Sequence, residues 1–516
     1  MSNATNSSRH PAGLWVLFTT ELWERFAFYA MRAILVLYLI AEADKHGNPG
    51  FGWSEADAYM LYGWYTALVY LAPLLGGWMA DSFLGQRRAV IIGAILMALG
   101  EFCLFTTELV RIGEGTPITF ATDQTALLTF YAGLLLMILG NGFFKPCISV
   151  MVGQLYEPGD RRRDSAFMIF YMGINIGAAF SPLVAGTLAA KFGFQWGFFA
   201  AGIGMCIGLT IQLMFSPLFL KGIGTLEKRQ INEDELTPAE KEKHEKKMYE
   251  QTRPLVKQDW DRMFVIVVLA LFVIVFWLVF EQAGSSLNVF AEKNTDRTVP
   301  DVLAKMTVYT DKETSQQNSW MFTRVEKGNI QNEGRYVFPA AWYQSVNAIG
   351  IVIFAPIITL LWNFLYRRGI EPSTPVKFAL GILLVSASCF VMIPGAIQAA
   401  QTGGNAAAYW LLACYLFATW GELCLSPVGL SMVTKLAPAR YGSLFMGIWF
   451  LSSAAAYWFA GYFAAIFAAG EGIAIYFGKE NGLADFFLLL AIVPAIVGFI
   501  ALAMAPMLKK NMHGIH

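Results

Sequence analysis

Apolar residues gather into twelve runs, at about 14–40, 58–80, 89–109, 126–148, 166–189, 194–220, 263–290, 339–365, 376–398, 406–433, 442–469 and 484–507. A helix that crosses a bilayer needs roughly 20 predominantly apolar residues, and each run is long enough. No water satisfies the backbone inside a bilayer, so runs of this length predict α-helices. The polar stretch 221–260 divides the runs six and six, the outline of two six-helix bundles. The chain therefore reads as an all-α membrane protein with a tail (1–13), a first bundle (14–220), a linker (221–260), a second bundle (261–507) and a second tail (508–516). In the linker, Thr237-Pro238-Ala239-Glu240 suits a helix start, and Glu242 with Lys246 forms an i,i+4 pair, which together predict a surface helix. The connection 291–338 has Val, Tyr and Thr patches that predict a hairpin, and no function is assigned to it.

Composition sharpens this picture. Of 516 residues, 56% are apolar and only 14% charged, against about 25% charged in a soluble domain. Lys+Arg and Asp+Glu both number 37, so there is no basic excess to attract a nucleic acid. With the N-terminus inside, the inner segments hold Arg9, Arg87, Arg88, Arg161, Arg162, Arg163, Arg367, Arg368, Lys377, Lys435, Arg440, Lys509 and Lys510. The short outer loops hold Lys45, Arg111, Lys191 and Lys479, which puts both termini and the linker in the cytoplasm. Cys103, Cys147, Cys206, Cys389, Cys414 and Cys424 all fall within apolar runs and read as small buried hydrophobes, with no metal-ligand spacing. Residues 1–13 carry a single Arg and do not read as a secretory signal.

The candidate chemistry lies in charges that a bilayer should exclude. A charge at mid-bilayer costs about 2.5–3.5 kcal/mol, so four on one helix cost on the order of 10 kcal/mol unless they face water or one another. Positions 21, 24, 25, 28, 29 and 32 share one helical face. Glu21, Glu24, Arg25, Phe28, Tyr29 and Arg32 thus form a polar and aromatic stripe facing the bundle interior. A set of ion pairs that only locks packing is the plainer alternative, though buried ion pairs are poor stabilisers. Lys145, Glu281 and Glu422 stand in the fourth, seventh and tenth runs, and Glu101 lies towards the outer end of the third. The cations Arg25, Arg32 and Lys145 belong to the first half, and Glu281 and Glu422 to the second. Opposite charges on two bundles can pair across the interface and part when a zwitterion competes. A carboxylate in a partly dry cavity can load and release a proton near neutral pH. His10, His46, His244, His513 and His516 all lie in loops or tails, so carboxylates must carry any coupled proton.

These residues spell a family pattern. E-L-W-E-R-F-A-F-Y at 21–29 resembles the first-helix signature of the proton-dependent oligopeptide transporters, a branch of the major facilitator superfamily. G-N-G-F-F-K-P at 140–146, F-Y-M-G-I-N-I-G at 170–177, F-W-L-V-F-E-Q at 276–282 and G-E-L-C-L-S-P-V-G-L-S at 421–431 resemble its fourth-, fifth-, seventh- and tenth-helix motifs. G-W-M-A-D-S-F-L-G-Q-R-R at 77–88 is similar to the superfamily's loop motif between helices two and three, where Asp81, Arg87 and Arg88 would brace a gate. The resemblance implies a major facilitator fold and proton-coupled import of di- and tripeptides by alternating access. The alternative within the family is another small solute, such as nitrate, a modified amino acid or a peptide-like drug.

Residue by residue, the resemblance implies that Glu21, Glu24, Arg25 and Glu281 couple protons. Arg25 and Lys145 would hold the peptide carboxylate, while Asn175, Asn347 and Glu422 would anchor its amine. Arg32 with Glu281, and Lys145 with Glu422, would be the gating pairs, Arg32 also lining the peptide site. Tyr29, Tyr70, Trp277, Ser426 and Trp449 would line side-chain pockets, although the two tryptophans equally suit bundle packing. Asn175 and Asn347 equally suit helix-to-helix hydrogen bonds.

Departures from the pattern matter as well. Phe28 replaces a tyrosine, Gly63 stands where animal members carry a histidine, and Phe280 where some members carry a second glutamate. Residues 221–260 have no apolar run for the two extra helices of many bacterial members, and the last outer loops are short. The expectation is a bacterial inner-membrane protein in a lipid bilayer, with no cofactor beyond the coupling proton and no obligatory protein partner. A membrane-embedded hydrolase lacks a base at suitable spacing from Ser181, Ser426 or Ser431, so the chain does not read as an enzyme, and a channel has no support beyond hydrophobicity.

Overall fold

A computed structural model gives the fold; the residues it describes are 9–44, 48–112, 115–157, 160, 162–226, 253–310, 317–325, 334–438, 440–468, 476–478 and 481–515. Six long helices form the first half: α1 (Ala12–Ile40), α2 (Glu55–Met79), α3 (Gln86–Thr107), α4 (Gln124–Gln154), α5 (Arg162–Phe192) and α6 (Phe194–Phe219). The second half begins with α7 (Lys257–Phe280), a 3₁₀ turn (Glu281–Gly284) and α8 (Ser286–Asn294), which together make one long span. A short α9 (Asp301–Thr307) follows, then α10 (Ser345–Arg367), α11 (Thr374–Gln401), α12 (Ala408–Leu436), α13 (Gly442–Ala468) and α14 (Gly482–Asn511). Eleven spans among the described residues are long and apolar enough to cross a membrane. With α1, whose charged residues lower its apolarity, they make the twelve-helix architecture expected from the sequence. The helix expected near Thr237 lies outside the described residues.

Helix starts follow from caps. The Ser54 side chain accepts the Asp57 N–H at the head of α2, and Asp123 accepts the Ala126 N–H at the head of α4. Between α8 and α10 the chain forms two antiparallel pairs, β2 (Val308–Thr310) with β3 (Gln317–Ser319) and β4 (Thr323–Arg324) with β5 (Tyr336–Val337). The hairpin expected in this connection is therefore present. In addition, β1 (Thr295–Asp296) runs parallel to β6 (Ala406–Ala407) and ties the connection to α12. All six cysteines are free, and Cys147, Cys389, Cys414 and Cys424 are buried.

The two halves meet through α2 against α13 and α5 against α10. Small residues permit the first contact: a Cβ added at Gly461 would lie 2.5 Å from the Tyr59 carbonyl oxygen and 2.6 Å from the Gly63 Cα. On the side away from the termini, Lys293 pairs with Glu55 at 2.7 Å and Asn288 donates to the Ala33 carbonyl at 2.9 Å. Trp342 Nε1 donates to Thr187 Oγ1 at 3.1 Å, and Lys191 donates to the Ser319 carbonyl. That side is sealed.

Candidate functional site

The stripe on α1 supplies the first wall. Glu21, Glu24, Arg25 and Arg32 are all buried, at 4%, 0%, 4% and 8% exposure. Arg25 Nε lies 3.2 Å from Glu21 Oε1, and the guanidinium donates to both oxygens of Glu24. Asn141 Nδ2, on α4, reaches Glu24 Oε1 at 3.4 Å. One guanidinium thus answers two carboxylates, and Glu21 Oε2 has no hydrogen-bond partner among the described residues. Lys145, one turn further along α4, places its ammonium 4.0 Å from the centroid of the Tyr70 ring and lies within electrostatic reach of Arg25, Glu24 and Glu21.

One face of the second half opposes this wall. Arg32 Nη2 donates to Glu281 Oε2 at 2.8 Å, and its Nε donates to Tyr62 OH at 2.9 Å. Glu281 sits where α7 breaks into the 3₁₀ turn, a device that turns a carboxylate inward from an interrupted helix. The approach is so close that a Cβ at Gly284 would fall 1.9 Å from Tyr62 OH and 3.1 Å from Arg32 Nε. Glycine is required there. On α10 and α12, Asn347 Nδ2 donates to Glu422 Oε2 at 3.0 Å and to Thr419 Oγ1 at 3.1 Å. Among the described residues, Lys145 and Glu422 are not paired with each other; the ring of Tyr70 holds the first and Asn347 the second. With the side away from the termini sealed through Arg32 and Glu281, each has its partner within its own half.

Aromatic rings fill the space between these charges. Tyr70 stacks on Tyr457 with centroids 4.2 Å apart, and Trp277 lies parallel to Tyr457 at 6.3 Å. The Arg32 guanidinium lies 5.6 Å from the Tyr29 ring, and Arg25 5.3 Å from Phe28, which occupies the place of the missing tyrosine. Tyr29, Arg32, Asn347, Phe280 and Ala283 line one cavity between the halves. Asn175 is buried and donates to the Tyr171 carbonyl within α5. Ser426 is half-buried one turn beyond Glu422. Trp449 packs edge-on to Phe378 in the second bundle, and a Cβ at Gly429 would lie 2.5 Å from its ring, so it is bundle packing in this conformation. Asp81 accepts from Gln86 Nε2 at 2.7 Å in the loop after α2.

Four participants were not singled out from the sequence: Tyr62, Asn141, Thr419 and Tyr457. Asn141 lies inside G-N-G-F-F-K-P, and Tyr62 shares a helical face with Tyr59, Tyr65 and Thr66, so a signal existed for both. Thr419 and Tyr457 sit in ordinary apolar runs and carry no such mark.

Residues 87–224 and 313–480 match the model of the POT family. The chain is 33% identical to a di-/tripeptide transporter of Lactococcus lactis subsp. cremoris, over 97% of this chain and 96% of that one. It is 32% identical to the peptide transporter YePEPT of Yersinia enterocolitica subsp. palearctica serotype O:3 (strain YE-P4), over 86% and 85%. A solved structure of a mutant peptide transporter POT in complex with alafosfalin aligns with a TM-score of 0.76 at 32% identity, covering 98% of this chain and 96% of that one.

Proposed function

The chain belongs to the POT family, and we propose that it is a proton-coupled symporter that imports di- and tripeptides by alternating access. The observation that carries this reading is the divided charge set: Arg25 and Lys145 with two carboxylates on the first half, Glu422 with Asn347 on the second. A zwitterion presents a carboxylate to one wall and an ammonium to the other. The peptide carboxylate is met by Arg25 and Lys145. The ammonium donates to Glu422 and to the carbonyl oxygen of Asn347, whose N–H groups are already spent on Glu422 and Thr419. Tyr29, Tyr70 and Trp277 leave adaptable aromatic walls for varied side chains, as a site that fixes affinity on the two termini requires.

The proton enters through competition for Arg25. While Glu21 and Glu24 are both ionised they occupy the guanidinium. Protonating one of them frees N–H donors for the peptide. The Arg32–Glu281 pair holds the far side shut, and its parting lets the halves rock the other way. The chain is a multi-pass membrane transporter. Its place in this reading is a bacterial inner membrane with both termini in the cytoplasm, supported by the excess of Lys and Arg on that side.

The test is uptake by the full chain in proteoliposomes under an inward proton gradient. Accumulation of labelled dipeptide that collapses with an uncoupler is expected, with unlabelled dipeptide competing and nitrate not. No acid-driven accumulation would sink the reading.

A further inference from the structure

Glu101 lies on α3 outside the cluster just described, and its environment is unlike that of any carboxylate in it. It is 0% exposed, and neither carboxyl oxygen has a hydrogen-bond partner among the described residues. Gly100 packs against Gly133 of α4 and Phe102 against Gly202 of α6. Glu101 stands about 100° round the helix from each. It comes within electrostatic reach of Tyr65 on α2. The Tyr65 hydroxyl is also buried and without a partner, and it lies within reach of Tyr62, Glu24 and Arg25 as well. Tyr65 thus stands between Glu101 and both charge pairs of α1.

A buried carboxylate with no donor is among the costliest groups that a fold can carry, so Glu101 is held here as the neutral acid. The other charged groups of the neighbouring elements are few. Among the packed helices α6 carries no charged residue, α4 carries only Lys145, and α1 carries the Glu21–Glu24–Arg25 cluster and Arg32. Nothing but Tyr65 connects Glu101 to them electrostatically.

We propose that Glu101 is a second proton-binding carboxyl of the first bundle, joined to the Glu24–Arg25 pair through the Tyr65 hydroxyl; this rests on the proton-coupled reading above. The transfer balances. One proton leaves the Glu101 carboxyl for the Tyr65 oxygen as the Tyr65 hydroxyl proton passes to the Glu24 carboxylate. Tyr65 and Glu24 end neutral, Glu101 carries the charge, and Arg25 is released towards the peptide.

The test uses the full chain in proteoliposomes with Ala-Ala as substrate. In Glu101→Gln the proton-to-peptide ratio, read from the reversal potential, is expected to fall by one while counterflow exchange stays within about twofold of the parent. An unchanged ratio and an unchanged pH profile would overturn the proposal. Tyr65→Phe is expected to lower the ratio equally, and a full ratio in that variant refutes the route. Glu101→Asp keeps a carboxyl and is expected to restore the ratio; a loss as large as in Glu101→Gln points to packing and overturns the proton role. Should Glu101→Gln fail to fold, the aspartate and phenylalanine variants decide the matter alone. If the parent itself shows no proton-driven uptake, the symport reading fails, and infrared difference spectra on adding Ala-Ala still decide. A protonated-carboxyl band that changes in the parent but not in Tyr65→Phe supports the proposal. A band that is silent in the parent overturns it.

Discussion

Replacing Glu281 with Gln takes the carboxylate out of the ion pair that joins the two halves on the side away from the termini. The Arg32 and Glu281 side chains are 10% and 4% exposed, and the contact is 2.8 Å. At that distance and an effective dielectric near 20, their attraction is about 6 kcal/mol. Much of it is offset by the cost of drying both ions. The amide of the variant still accepts a hydrogen bond from Arg32, and Tyr62 still accepts from its Nε. What remains is about 2 kcal/mol of lost closure, a charge-assisted contact exchanged for a neutral one. At 1.4 kcal/mol per tenfold, the ratio of open to closed conformers on that side rises roughly 30-fold. Nitroxides at Leu109 and Met306, both exposed and on opposite halves, report the separation by pulsed electron resonance. The long-distance population is expected to grow in E281Q, and acid-driven uptake to fall with it. A distance distribution that matches the parent to within about twofold in population would show that this pair does not hold the closure.

Other perturbations test the remaining parts. Lys145→Ala removes a cation from the carboxylate wall and is expected to cut gradient-driven uptake about a hundredfold, the scale of a charge-assisted contact worth roughly 3 kcal/mol; near-normal transport refutes the role. Glu24→Gln is expected to abolish concentrative uptake in the gradient assay while counterflow exchange persists, since exchange needs no net proton movement, and equal loss of both marks a structural role. Gly284→Ala puts a methyl 1.9 Å from Tyr62 OH and is expected to cost about 1–3 kcal/mol by overpacking. A thermal-shift midpoint equal to the parent's would show that the α7 turn does not need that approach.

The sequence made the spans legible because a bilayer leaves helices as the only way to satisfy the backbone of a long apolar run. It also marked the α1 stripe, since charges in such runs are too expensive to be incidental. Partner choice was less legible. That Arg32 meets Glu281 depends on the break of α7 and on Gly284, a tertiary approach that no local pattern encodes. That Lys145 rests on Tyr70 and Glu422 on Asn347 depends on which side of the transporter is shut, a property of the conformer. Tyr457 escaped notice because a tyrosine in an apolar run reads as packing until its stacking partners are known.

The balance of charge in the cavity says why a proton and a peptide belong together. Three cations, Arg25, Arg32 and Lys145, face four carboxylates, Glu21, Glu24, Glu281 and Glu422. All but Lys145 are buried to 9% exposure or less, so the set is poorly screened and its imbalance is felt by all of it. Glu101, held neutral, stands outside the count. The empty site therefore carries one surplus negative charge, and the place where that surplus is least matched is Glu21–Glu24, where a single guanidinium serves two acids. One proton there cancels it. A zwitterionic peptide then adds no net charge and replaces a vacated carboxylate on Arg25 with its own. A simple anion such as nitrate would restore the surplus and call for a further proton, with no ammonium to engage Glu422. The charge count thus favours the zwitterion independently of any family likeness.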